Sequence, residues 1–327
     1  MPGEDNVMSQ RLADFFHEKV VNIQSVISRR LGGSVPDPMK ADTANHGIPL
    51  DNLMTVTEAE VQKILSLMNG KTSPRDSIPT TLMKECSSTF SSIIARLVKL
   101  SFSEGVFPFA FKCAQITPIM KKAGLEPSVL TNYRPISNLS TISKILERLY
   151  LSRLKPQVSP LCSPLRSAYR LHHSTETALI GIVNDMFEAA DAGCATVLLA
   201  LDLSAAFDTI EHAVILRRLS DTLGVTGTAL NWIKSYLTAR TSFVRIGSIS
   251  SSKFSLDTGD PQGSVLGPLL FTLFTTPLCD IITRFGLRFN QYADDTQIYI
   301  AIRRDIIACV TSNPCCMHGR RLRLVTS

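Results

Sequence analysis

The most constraining stretch of this chain is residues 290–302, NQYADDTQIYIAI. Leu287, Phe289 and Gln291 alternate with Arg288, Asn290 and Tyr292 on the way in, and the alternation resumes from Thr296 to Ile302. A period of two over short runs predicts two strands joined by a tight turn. At that turn sit two adjacent carboxylates, Asp294 and Asp295. Like charges side by side repel, and a pair flanked by Tyr, Ala and Ile has little solvent to relieve it; a divalent metal would. Taken alone, an Asp-Asp pair reads as a solvated turn, because Asp suits turns. A third acid shifts that balance. Residues 195–201, ATVLLAL, predict a buried strand ending in Asp202. One carboxylate at a strand end, ahead of a hairpin carrying two more, is how a metal site is assembled from distant sequence.

Composition excludes some classes. At 327 residues, 44% hydrophobic and 19% charged, the chain can bury a sizeable core and is not a disordered one. The net charge of +6 is a mild basic bias, compatible with a polyanionic partner. Eight scattered cysteines with no secretory leader read as free thiols in a reducing compartment. Residues 261–279 carry no charge but contain Pro261, Pro268, Pro277, Gly263 and Gly267, so they predict a buried helix of a soluble protein rather than a membrane span.

Taken in order, residues 10–31 predict an amphipathic helix with Leu12, Phe15, Phe16, Val20, Ile23 and Val26 on one side, and residues 32–51 a linker. Residues 55–68 offer a helix start, Thr57 as N-cap with Glu60 forming a capping box, and Val61, Ile64, Leu65 and Met68 on the apolar face. Helices are expected at 91–102 and 143–154, a strand at 115–122, and a loop at 126–138. Ser174 caps a helix running to about residue 190; His172 and His173 lack ligand spacing and read as a polar turn. Helices ending at Leu219 and spanning 226–237, a hairpin over 242–256 and a helix over 269–282 complete the pattern. Asp208 reads as an N-cap rather than a metal ligand. Lys121, Lys122 and Arg134 can grip phosphate oxygens, Arg in bidentate fashion; standing alone they would read as a solvated basic edge. The Gly/Pro loop GDPQGSVLGP, residues 259–268, lets backbone and Gln262 approach a flat ligand or a sugar-phosphate.

The ordered set LDLSAAFDTIEH, GDPQGSVLGP and QYADDTQIY, preceded by KTSPRDSIP, GVFPFAFKCAQITPIMKK, NYRPISNLSTISKILER and SAYRLHHSTETAL, resembles the reverse transcriptases of non-LTR (LINE-type) retrotransposons over roughly residues 55–302. The resemblance implies an α+β fold, a right-hand polymerase with palm and fingers, the antiparallel palm sheet backed by helices. It implies an RNA-directed DNA polymerase with an RNA template, a DNA primer, deoxynucleoside triphosphates and two Mg²⁺ ions, Mn²⁺ being a substitute, about 3.5–4 Å apart. By family likeness Asp202 and Asp294 are metal ligands and Asp295 supports the site. Phe207 looks like the steric gate against a ribose 2′-hydroxyl. Gln262 and Gly263 would line the nucleotide and template pocket, and Lys121, Lys122 and Arg134 fall where the fingers hold the triphosphate.

The departures carry expectations too. Asp260 stands where relatives usually have a small aliphatic residue such as Val, and would place an extra carboxylate beside the pocket. Arg166 stands where they usually have Gln. The likeness ends near Ile302, and the expected organisation is an N-terminal helix and linker (1–50), a helical region (51–103), a polymerase domain (104–302) and a divergent basic tail (303–327), with no thumb. Cys309, Cys315, Cys316 and His318 in that tail lack the paired spacing of a zinc site. Two other functions remain as alternatives: an inactive remnant that at most binds nucleic acid, and a phosphate-ester hydrolase, for which no base to activate water is evident.

Overall fold

The computed structural model describes residues 2–30, 49–53, 55–158, 163, 165–170, 172–203 and 205–303. Most of the expected linker, the tail beyond Arg303 with its three cysteines and His318, and Cys162 and Ser204 lie outside the described residues. Nine helices and eight strands follow one another among the described residues: α1 (Pro2–Arg30), α2 (Glu58–Leu67), α3 (Thr80–Glu85), α4 (Ser87–Glu104), β1 (Cys113–Met120), β2 (Tyr133–Asn138), α5 (Thr141–Val158), α6 (Thr175–Asp191), β3 (Cys194–Leu201), α7 (His212–Asp221), α8 (Gly227–Leu237), β4 (Arg240–Ile246), β5 (Ile249–Ser250), β6 (Phe254–Leu256), α9 (Gly267–Arg284), β7 (Arg288–Tyr292) and β8 (Asp295–Arg303). This is an α+β chain. It divides into two compact units, residues 1–159 with 207–274, and residues 160–206 with 275–327.

In the first unit the sheet runs β2-β1-β4-β5, with β6 also on β4. β1 pairs antiparallel with β2 and parallel with β4. The segment expected as a loop at 126–138 thus ends in a strand. Its Pro135 lies opposite Pro118, which an edge strand such as β2 tolerates because a missing ladder N–H costs least there. The core is aromatic. Trp232 stacks on Tyr150 at 4.4 Å, and Phe102 and Phe107 meet it edge-on at 5.6 and 5.3 Å. Edge-on and offset rings satisfy the aromatic quadrupole. The indole N–H donates to Ser101 Oγ at 2.9 Å, so the largest buried ring leaves no orphan donor. α1 buries Leu12, Ala13 and Phe16 against Ile116 and Val244; Val26 further along it is exposed. The Thr57–Glu60 capping box is present and starts α2, with Val61 and Leu65 buried.

In the second unit the sheet runs β3-β8-β7, all antiparallel. α6 is capped by Ser174 with Thr177 and buries Ala178, Ile182 and Ala189. Its Asp185 accepts from the Tyr299 hydroxyl of β8 and, at 2.9 Å, from Arg288 of β7. Cys279, Ile282 and Phe289 form a small core. Arg166 and Ser167 are anchored here: Ser167 N–H donates to Gln291 O at 2.9 Å, and Arg166 donates to Thr275 Oγ1 at 2.6 Å. One expectation fails. The apolar strand β3 is not buried: only Cys194 is, while Val197, Leu198, Leu199 and Leu201 are 38–54% exposed. β3 is the edge of a three-stranded sheet, and an apolar run is buried on both faces only where layers cover both. Among the described residues no helix is long and apolar enough to cross a membrane.

Candidate active site

The three acids stand at the strand ends of one sheet: Asp202 follows β3, Asp294 lies in the β7–β8 turn and Asp295 opens β8. β3 pairs with β8 from Cys194 opposite Arg303 to Leu201 opposite Thr296. One step further along this register sets Asp202 level with Asp295. Tyr292 pairs with Asp295, leaving Ala293 and Asp294 as the two residues of the turn. Ala293 takes φ 55°, and Ala205, just past Asp202, also takes φ 55°. Left-handed backbone is costly for any residue with a Cβ and gathers at functional turns. Asp202 and Asp295 are exposed, Asp294 half-buried. Among the described residues no three His, Cys, Asp or Glu side chains are gathered closely enough to hold a metal ion. The sheet therefore aligns the three acids without clustering them, as expected of like charges that can each reach water. Their donor chemistry, carboxylate oxygen only, suits Mg²⁺ or Mn²⁺.

Sequence reasoning passed over one neighbour of this turn. Burial, then the Asp294 charge and Tyr292, push the Tyr169 phenol up. Tyr169 has φ 61°, a backbone state that nothing in SAYR announces.

The first unit brings together a second set. Phe207 lies against Phe271, ring centroids 5.0 Å apart, and its carbonyl accepts from Asp260 N–H at 3.0 Å. Gly259 N–H donates to Ile210 O, and Ser137 N–H of β2 donates to Gln262 O at 2.8 Å. Two glycines are obligatory. Gly259 has φ +74° and a Cβ there would lie 2.6 Å from Asp208 backbone; Gly263 has φ +125° and its Cβ would lie 2.5 Å from Ser137 O. The loop 258–264 is thus pressed against the 207–210 turn on one side and β2 on the other, which places Phe207, Gln262 and Gly263 in one assembly.

Asp208 belongs to that assembly and is not the helix cap expected of it. α7 starts at His212, with Glu211 at the cap position. Gln262 Nε2 instead donates to both Asp208 oxygens at 3.4 and 3.3 Å. Burial pushes the Asp208 carboxyl up to about 6 against the opposing pull of Lys19 and Gln262. Lys121 and Arg134 share a face of the β1–β2 ladder: Arg134 pairs with Ile119, and Lys121 N–H donates to Asn132 O at 2.9 Å. Lys121, Lys122 and Arg134 are all exposed. Asp260, expected beside the pocket, is 4% exposed and turned into the protein interior.

A family model described as reverse transcriptase (RNA-dependent DNA polymerase) matches residues 119–324. The chain belongs to the reverse transcriptase family. Its relatives are of the LINE type. It is 31% identical over 75% of its length to the RNA-directed DNA polymerase from mobile element jockey of Drosophila melanogaster, covering 27% of that protein. It is 28% identical over 97% of its length to the probable RNA-directed DNA polymerase from transposon X-element of the same species, covering 33%. A third relative, the putative 115 kDa protein in type-1 retrotransposable element R1DM, is 25% identical over 74% of this chain. The chain thus spans about a quarter to a third of the length of these relatives. The reverse transcriptase match runs on to residue 324, past Ile302, the expected end of the likeness.

Proposed function

We propose that this chain is the palm-and-fingers part of a retrotransposon reverse transcriptase, adding deoxynucleotides to a primer 3′-hydroxyl on an RNA template. The single observation that supports the reading most is the register that sets Asp202 level with Asp295 beside the Asp294 turn. Asp202, Asp294 and Asp295 would hold two Mg²⁺ ions. When bound, such ions lower the pKa of the attacking hydroxyl and stabilise the leaving pyrophosphate. The chain's own residues do the rest. Lys121, Lys122 and Arg134 bind the triphosphate, whose charge suits cations presented on one strand pair. Phe207, braced by Phe271, excludes a 2′-hydroxyl. Gln262 and Gly263, seated by Ser137 and Asp208, orient the nucleotide and template.

The second reading is a remnant that binds nucleic acid without catalysis. Primer extension on poly(rA)/oligo(dT) with Mg²⁺ or Mn²⁺ separates the two. Synthesis by the wild type that is abolished in Asp294→Ala supports the polymerase; template binding with no synthesis in either protein supports the remnant.

A further inference from the structure

The loop 258–264 contains a buried carboxyl that the proposed chemistry does not use. Asp260 accepts from the Tyr236 hydroxyl at 2.7 Å and from Ser264 Oγ. The same hydroxyl lies 3.4 Å from Oε2 of Glu147. Glu147, in α5, is 0% exposed; it accepts from Ser143 Oγ at 2.9 Å and from the N–H groups of Val265 and Leu266 at 2.6 and 3.3 Å. Two buried carboxyls therefore face one phenol, and a phenol has one proton to donate. With the phenol proton directed to Asp260 at 2.7 Å, the longer contact to Glu147 holds a hydrogen only when Glu147 is itself protonated.

The surrounding charges do not remove that need. Arg240, 1% exposed, is the cation that both carboxyls feel. It donates through Nη1 to Tyr236 O at 3.0 Å and lies over the Tyr236 ring, while its Nε and Nη2 have no hydrogen-bond partner among the described residues. His212 faces Asp260, Arg240 and Asp257, and its Nε2 lies 2.7 Å from Gly259 O, a contact that keeps the proton on Nε2. Burial lowers the histidine's own pKa. Burial, and then the Asp260 charge, push Glu147 up to about 7, and burial raises Asp260. Two interacting carboxyls titrate as a pair.

We propose that Asp260 is a positioning residue for the nucleotide-pocket loop, acting through a single proton that it shares with Glu147 across Tyr236. While the proton is held, Tyr236 and Ser264 fix Asp260, and Asp260 fixes the turn that presents Gln262 and Gly263. When it is lost, two anions confront each other in a dry site with one hydroxyl between them, and the loop comes away. The sign follows from the raised carboxyl pKa: seating is fully held below the ordinary carboxyl value of 4.5, weakens above it and is lost as pH rises through about 7. A relative with Val at this position has no such proton to lose. The inference rests on the reading of Gln262 and Gly263 as pocket residues.

The test uses wild type, Asp260→Asn, Asp260→Val and Glu147→Gln. Hydrogen–deuterium exchange of the peptide covering residues 258–266 is followed at pH 6 and pH 8.5, corrected for intrinsic exchange. Protection should fall on the order of tenfold in the wild type and stay level in Asp260→Asn, which keeps the hydrogen bonds without the charge. In primer extension the wild-type KM for dTTP, measured relative to Asp260→Asn, should rise on the order of tenfold over the same range with little change in the relative kcat. Equal protection at the two pH values in the wild type, or the same fall in Asp260→Asn, overturns the proposal. If protection changes as stated but no Asp294-dependent synthesis occurs, the polymerase reading fails and the proton-held loop stands.

Discussion

The loop around Gly259 and the hairpin around Asp294 hold their polar groups in opposite ways. The loop is knitted into the first unit by backbone hydrogen bonds to Ile210, Phe207 and Ser137, by two glycines that admit no Cβ, and by a buried carboxyl network. Asp202 and the hairpin acids Asp294 and Asp295 depend on strand register, and two of the three are exposed. The loop is thus preorganised by packing, at a cost in strain and buried charge. The acids are left open to water, as carboxylates must be if hydrated ions are to reach them. Removing a loop group should therefore damage folding and function together, whereas removing a hairpin acid should damage function alone.

The largest effect tests the hairpin side. Asp294→Ala should lower primer extension by about a thousandfold or more, the equivalent of several kcal/mol of transition-state stabilisation. Its urea midpoint should stay within about 0.5 kcal/mol of wild type. A large loss of stability would show the acid to be structural and would erase the contrast. Next comes the loop. Gly263→Ala forces a Cβ into Ser137 O and should cost roughly 1–3 kcal/mol in urea unfolding, with a raised KM for nucleotide. An unchanged midpoint would mean that the loop is not pressed against β2.

Phe207→Ala sharpens the comparison between pocket and metal. It should relax discrimination against ribonucleotides by roughly 10–100-fold while leaving the metal dependence of synthesis alone. Unaltered sugar selectivity in competition assays would remove Phe207 from the gate role. The smallest effect concerns Asp208. Its folded pKa of about 6 lies above the ordinary value of 3.8, so its ionised form is penalised by folding. The penalty is absent below pH 4 and grows as pH rises through 6. Asp208→Asn should therefore be about 1–2 kcal/mol more stable than wild type at pH 8, a difference that vanishes near pH 4 in thermal unfolding.

Much of the frame was legible because it is local. The capping boxes at Thr57 and Ser174 are read from three-residue spacing, since they depend only on a helix's own first turn. The β7–β8 hairpin is read from alternation, since period two is a property of the strand itself. The errors are non-local. The segment 133–138 was hidden as a strand because Pro135 and its polar neighbours spoil the pattern, and the partner β1 supplies the ladder. The exposure of β3 is not legible because the sequence shows that a strand is apolar, not how many layers cover it. The role of Asp208 is not legible because a cap and a buried partner for Gln262 look alike until the loop is folded back on it. Glu147 lies on the buried stripe with Ser143, Tyr150 and Leu154, a spacing that helical periodicity could have exposed.

By itself the chain's order of residues determined the family, the α+β class and the identity of the acids, because motif chemistry and short-range periodicity are written along the backbone. Only the tertiary structure decided that Asp202 stands level with Asp295, that Asp260 turns inward, and that Asp260, Tyr236 and Glu147 meet. Those outcomes depend on segments distant in the chain coming together, and on the desolvation that follows, which no local pattern encodes.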